Sequence, residues 1–149
     1  MSFSHLDQEG RARMVDVSGK KRQRRVARAA GRVTFSAATA AAIQRQKLPK
    51  GNPFEVARIA GIQAAKETAR LIPLCHNLPL DAVDVDVQLH DDHFEISSTV
   101  VCQWATGVEM EALTAVAATA LTLYDMCKAV DKEMRIEGIH LVEKRKESL

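Results

Sequence analysis

Residues 82 to 89 read Ala-Val-Asp-Val-Asp-Val-Gln-Leu, apolar and polar side chains in strict alternation. A period of two puts the valines on one side of an extended chain and the aspartates on the other, so the segment specifies a strand with one buried and one wetted face. His-Asp-Asp-His at 90 to 93 reads as a turn, and residues 93 to 104, HFEISSTVVCQW, return as the partner strand. A half-buried antiparallel sheet needs a layer on its apolar side, and the rest of the chain has the patterns to supply one.

Residues 26 to 36, VARAAGRVTFS, alternate loosely and predict another strand, with Ser36 capping a short helix over 37 to 46. Asn52 is a good helix cap, Pro53 suits the first helical position, and Glu55 can complete a capping box. The helix they open is expected to run to about Arg70, with apolar residues on more than half its surface. Residues 71 to 80, LIPLCHNLPL, carry two prolines and exclude regular helix. A long helix is expected over 107 to 131 and a last strand over 135 to 144. The order strand, helix, helix, strand, strand, helix, strand predicts an α+β fold, an antiparallel sheet with helices packed on one face. The predicted organisation is a flexible basic N-terminal arm over residues 1 to 25, followed by a single α+β domain over 26 to 149.

The 149 residues are enough for one core, and with only 4% aromatics that core must be built from Ala, Val, Leu and Ile. Net charge is +2, which gives no global attraction to nucleic acid or membrane; an anion site has to be local. Cys75, Cys102 and Cys127 are odd in number and far apart, so neither a disulfide framework nor a zinc knuckle is expected. No apolar stretch reaches membrane-spanning length and the first residues lack a signal-peptide core, so the chain reads as a cytoplasmic protein.

Thr106 followed by Glu109 has the spacing of a capping box, which gives Glu109 a structural role at the start of the long helix. Glu111 lies ~200° further round and has no such role. Beyond it, ALTAVAATALTLYDMC, residues 112 to 127, is apolar or small on every side. A single sheet covers one face of a helix, so the other is expected to meet a second copy of the chain. Asp125 sits inside this run with Lys128 one turn later. The pair reads as a buried salt bridge or as an acid/base group with a tuned pKa. Glu111 and Asp125 share a face, but fourteen residues separate them by ~21 Å at ~1.5 Å per residue. They either serve different purposes or meet through two subunits.

The proline-bracketed loop leaves Leu74, Cys75 and His76 free to contact a ligand, with His76 able to exchange a proton or bind a phosphate. Lys50, just before a helix N-terminus, and the cluster Lys144, Arg145, Lys146 offer anion sites. The basic run GKKRQRR at 19 to 25 reads as a solvated arm or as one that meets a polyanion, with Arg25 and Arg28 the expected contributors.

MVDVSGK, LPKGN, ARIAGIQAAK, LIPLCHNLPL, TGVEMEALTA and LTLYDMCKAV occur here in one order. Together they make residues 14 to 144 resemble the MoaC family, the cyclic pyranopterin monophosphate synthases of molybdenum-cofactor biosynthesis. The resemblance implies a ferredoxin-like α+β fold and a hexamer built as a trimer of dimers, with sites at dimer interfaces. It implies a lyase that converts 3′,8-cyclo-7,8-dihydroguanosine 5′-triphosphate, made by a radical SAM partner, to cyclic pyranopterin monophosphate and pyrophosphate. On the matching motifs, Asp125 and Lys128 take the catalytic positions. Leu74, Cys75, His76, Met110 and Glu111 take substrate positions, joined by Lys50, Glu109 and Lys144. No metal, cofactor, nucleic acid or membrane is expected. Two positions depart from the family pattern. Asn77 stands where proline is usual, and the tail EKRKESL lacks the glycines of the usual KSGGKSG. Two other readings remain open, a non-catalytic basic oligomer that binds nucleotide or RNA, and a degenerate relative of the synthase.

Overall fold

The computed structural model describes residues 3–45, 48 and 50–149. Its strands are β1 (Gln23–Thr34), β2 (Leu80–Leu89), β3 (His93–Trp104) and β4 (Arg135–Glu147); its helices are α1 (Ala37–Gln44), α2 (Pro53–Lys66), α3 (Thr68–Leu71) and α4 (Glu109–Cys127). The strands form one antiparallel sheet in the order β2-β3-β1-β4, with β1 at the interior between β3 and β4. The fold is α+β, as the alternation predicts. β1 begins earlier than expected, taking in Gln23, Arg24 and Arg25 of the basic run. Residues 46, 47 and 49, which include the expected end of α1 and the proline of LPKGN, lie outside the described residues.

Alternation sorts the sheet into two faces. Ala27, Ala29 and Val33 of β1 and Phe94, Ile96, Val100 and Cys102 of β3 are buried beneath the helices. Arg24, Arg28 and Arg32, at every fourth position of β1, point the other way. Each meets an acid on β4: Glu147 at 3.4 Å, Glu143 at 3.7 Å and Glu137 at 2.9 Å. Exposed pairs of this kind contribute little individually, but here they use charges that the sequence alone leaves available for a polyanion. The expectation for Arg28 is therefore corrected: its side chain belongs to the open face of the sheet, not to an anion site.

α4 crosses the inner face and α2 packs beside it. Small residues permit the approach. A Cβ on Gly61 of α2 would collide with Thr119 Oγ1 of α4, and one on Gly31 would lie 2.9 Å from Val116 Cγ1. The buried positions of α2 are Pro53, Ala57, Gly61 and Ala65, one per turn, whereas Val56 and Ile59 are exposed. Its buried stripe is narrower than expected. The helix also ends early, at Lys66, because the Thr68 hydroxyl donates to the carbonyls of Ala64 (3.1 Å) and Ala65 (3.0 Å) and a new short turn begins.

One expectation for α4 is also corrected. The capping box does not form; Val108 is the cap residue and no side chain caps the end. Glu109 is instead the first helical residue, its carboxylate folded back against Gly107. In the single chain one side of α4 is covered and the other is open. Ala112, Ala115, Val116, Thr119, Ala120 and Leu123 are buried, while Leu121 is 61% exposed and the Asp125 side chain 49% exposed. Asp125 falls on the solvent-facing stripe, one helical turn beyond Leu121. Among the described residues, no helix is long and apolar enough to cross a membrane.

Candidate functional site

The N-terminal end of α4 borders a cavity of about 300 Å³, at the small end of the range typical of ligand pockets. The proline-bracketed loop contributes Leu74, Cys75 and His76; the helix start contributes Glu109, Met110 and Glu111. The segment before β1 closes one side through Val15, Val17 and Lys20. His76 Nε2 lies 2.6 Å from the Val15 carbonyl oxygen, which fixes the ring by a donated N–H and joins the loop to that segment. Residues 3 to 22 thus contribute a wall, although they form no helix and only an isolated bridge, Leu6 with Ala12.

A second cavity, of about 210 Å³, adjoins the first along Gly107 and Glu109. Its walls carry Arg25, Lys144, Arg145 and Lys146. Register explains the convergence: Ala27 pairs with Lys144 and Arg25 with Lys146, so these three cations share the inner side of the sheet near its end. β4 continues to Glu147, and Lys144 and Lys146 are held on a paired strand instead of a glycine-rich loop. Arg25 donates from Nη2 to the Ala105 carbonyl at 3.3 Å, while its buried Nε has no partner among the described residues. A buried guanidinium N–H without an acceptor is an open position for an anion. Lys144 Nζ lies 3.9 Å from Glu109 Oε1.

Glu111 is 5% exposed. Burial pushes its pKa up to about 7, helped by the neighbouring Glu109 charge and opposed by a hydrogen bond from its own backbone N–H. A carboxyl that exchanges its proton near neutral pH at a cavity wall is suited to acid/base work. Burial, then the Glu111 charge, also raises the Cys75 pKa, and Cys102 is pushed up to about 11 by the same two causes in that order. Both are thiols at neutral pH, not nucleophilic thiolates.

The C-terminal end of α4 carries a separate group. Asp125 Oδ2 accepts from Lys50 Nζ at 2.6 Å and Oδ1 from Lys128 Nζ at 2.9 Å. The Lys128 hydrogen bond, then that of Lys50, lowers the Asp125 pKa to about 2. The expectation of a buried carboxylate, with burial and the ammonium in opposition, gives way to a half-exposed one in which the ammonium groups dominate. Tyr124 and Lys132 border the same hollow, the tyrosine hydroxyl donating to the Lys132 carbonyl at 3.2 Å.

One chain therefore makes two clusters. Leu74, Cys75, His76, Glu109, Met110, Glu111 and Lys144 gather at one end of α4, and Lys50, Asp125 and Lys128 at the other. Gly107, Val15 and the unpartnered Arg25 Nε complete the first cluster. Arg25 has a signal in the basic run, and Val15 and Gly107 lie in the motifs MVDVSGK and TGVEMEALTA without being singled out there. Cys75 and His76 have no third metal-ligating side chain beside them among the described residues.

The sequence model of the MoaC family matches residues 14–147. The chain is 55% identical over 141 residues to the molybdenum cofactor biosynthesis bifunctional protein of Chlorobaculum tepidum, an alignment covering 95% of this chain and 45% of that protein. It is 54% identical over 144 residues to the cyclic pyranopterin monophosphate synthase of Desulfatibacillum aliphaticivorans, covering 95% and 91% of the two chains. The enzyme of the same name from Chloroflexus aggregans is 56% identical over 145 residues, covering 96% and 88%.

Proposed function

This chain belongs to the MoaC family, and on that footing we propose that it is a cyclic pyranopterin monophosphate synthase, a lyase of molybdenum-cofactor biosynthesis. It takes 3′,8-cyclo-7,8-dihydroguanosine 5′-triphosphate, the product of a radical SAM partner, and yields cyclic pyranopterin monophosphate and pyrophosphate. The observation that carries the reading is the joining of two cavities at Gly107 and Glu109, one walled by Leu74, Cys75, His76, Met110 and Glu111, the other by Arg25, Lys144 and Lys146. A nucleotide-derived substrate needs both a wall for its ring system and cations for its triphosphate.

In this reading the cations of the smaller cavity hold the triphosphate and stabilise the departing pyrophosphate. His76 and Glu111 face the ring system, and Glu111, titrating near 7, passes protons as rings open and close. Asp125 enters as a carboxylate. Two ammonium groups make it a weak base, so a substrate phosphate that draws Lys50 or Lys128 away restores its basicity, and the freed lysine supplies a proton. For Asp125 to reach a substrate held by His76, the two ends of α4 must come from different copies. We therefore read the protein as a homo-oligomer, a hexamer built as a trimer of dimers, with the exposed side of α4 at a subunit contact. The strand order β2-β3-β1-β4 supports a ferredoxin-like arrangement, with the segment before β1 as an arm over the cavity and the catalytic domain beginning at Gln23 instead of the expected residue 26. The cytoplasm is the compartment that suits free cysteines and a nucleotide-derived substrate. The competing reading as a basic RNA-binding oligomer loses its main support, since Arg24, Arg28 and Arg32 are paired with glutamates of β4.

Incubation with the cyclised dihydro-GTP, followed by separate assays for the pyranopterin product and for pyrophosphate, tests the proposal. Release of both in equal amounts is expected; release of neither from folded protein would refute it.

A further inference from the structure

The turn between β2 and β3 holds side chains that play no part in the chemistry above. Asp91 and Asp92 make the turn, closed by a hydrogen bond from the His90 N–H to the His93 carbonyl at 2.9 Å. The His90 and His93 rings stack in parallel, 4.5 Å between centroids and 5° between planes. His90 Nε2 lies 2.8 Å from Glu95 Oε2, and His93 Nδ1 lies 2.6 Å from Asp92 Oδ1. One ligand atom from each of His90, His93 and Glu95 falls within 4.8 Å of the other two.

Three features make this more than a polar hairpin tip. Its donors are two imidazoles and a carboxylate, the set preferred by borderline divalent transition metals and not by calcium or magnesium. Asp92 grips one nitrogen of His93 and leaves the other outward, the arrangement by which a carboxylate fixes the tautomer of a metal-ligating histidine. The frame is rigid as well. The Phe35 N–H donates to the Asp92 carbonyl at 2.9 Å, and Phe94, next to His93, is fully buried against Phe35 and Phe54. Ligand atoms around a tetrahedral zinc sit ~3.4 Å apart, given bonds of ~2.0–2.1 Å. Two parallel rings cannot both aim a nitrogen at one ion, so binding would unstack them by rotation about their side-chain bonds.

We propose that the β2–β3 turn is a binding site for a divalent transition-metal ion, with zinc as the reference case, ligated by His90, His93 and Glu95 and with Asp92 orienting His93. His93 pairs with Thr34 of β1, nine residues along the strand from Arg25. At ~3.3 Å per residue the ion would lie ~30 Å from the cationic cavity of the same chain, and its role is in fixing the hairpin.

The test uses the full chain stripped with chelator and dialysed free of it. Isothermal titration with zinc chloride should give one site in the wild type that His90→Ala/His93→Ala lacks. Glu95→Gln and Asp92→Asn should each weaken that site about tenfold. Independently of any variant, substoichiometric nickel should broaden amide resonances of residues 89 to 95 first in a heteronuclear spectrum of the wild type. Equal zinc affinity and stoichiometry in the wild type and the double variant would overturn the proposal. Broadening that begins at Cys75 and His76 and spares the hairpin would overturn it as well.

Discussion

The carboxylate of Asp125 is shared between two lysines, Lys50 at 2.6 Å on one oxygen and Lys128 at 2.9 Å on the other. Lys128 comes from one turn along the same helix and Lys50 from the segment that leads into α2. All three side chains are about half exposed. Such exposed pairs add little to stability, so the arrangement is better explained by chemistry than by architecture.

Replacing Asp125 with Asn keeps the shape and removes the carboxylate that accepts a proton. Turnover should fall ~10²-fold or more, while melting temperature and mass by light scattering stay near those of the wild type. Near wild-type turnover in a folded oligomer would move the acid/base role elsewhere, with Lys128 and His76 the next residues to test.

Glu111 carries a pH signature. Its ordinary pKa of 4.5 is raised to about 7 in the fold. Between those values the folded state holds a proton that the unfolded state has lost, so stability falls as pH rises through the interval. Below 4.5 both states are protonated and the group has no effect; above 7 both are ionised and the penalty, on the order of 3 kcal/mol, is complete. Relative to the wild type, Glu111→Gln should therefore gain stability as pH is raised from 4.5 to 7 and plateau beyond. A difference in melting temperature independent of pH would show that Glu111 titrates normally.

The two faces of β1 should separate in kinetics. Arg25→Ala or Lys144→Ala should raise KM about tenfold or more, as expected when a charge-assisted hydrogen bond to a phosphate is lost, and should flatten its dependence on salt. Arg28→Ala, on the other face and paired with Glu143, should leave KM unchanged. Equal effects from Arg25 and Arg28 would contradict the division of the sheet.

Gly61 of α2 sits against Thr119 and the Ala115 carbonyl of α4 with no room for a Cβ. Gly61→Ala drives a methyl into Thr119 Oγ1 and should destabilise by about 1–3 kcal/mol despite the better helix propensity of alanine. A drop of several degrees in melting temperature checks it. An unchanged or higher value would mean that the helix pair can move apart at no cost.

The alternation at 82 to 89 and the capping residues Ser36, Asn52 and Pro53 were enough to place the sheet and two helix starts, because these signals act within a few residues. The motif residues of the candidate site were legible too, as a resemblance. Their grouping was not. Whether Asp125 is buried depends on which stripe of α4 meets α2, and that is decided by Gly61 and Thr119, far apart in sequence. The capping box failed for a similar reason: helix α4 starts at Glu109 itself, and the carboxylate turns toward Gly107 and Lys144. The fate of the β1 arginines was hidden as well, since Glu147, Glu143 and Glu137, the partners of Arg24, Arg28 and Arg32, lie more than a hundred residues away.

The placement of His76 and Asp125 at opposite ends of one helix has a consequence for inheritance. If the site draws its two halves from two chains, as proposed above, it can be rebuilt from two broken ones. Asp125→Asn and His76→Ala chains, each inactive as a pure population, should regain part of the activity when co-expressed, because some mixed contacts pair an intact Asp125 end with an intact His76 end. Two defective alleles would then complement each other, and a chain carrying both substitutions would poison every site it joins. Complete failure of co-expressed, co-assembled variants to recover activity would place both ends of α4 in separate duties within a single chain.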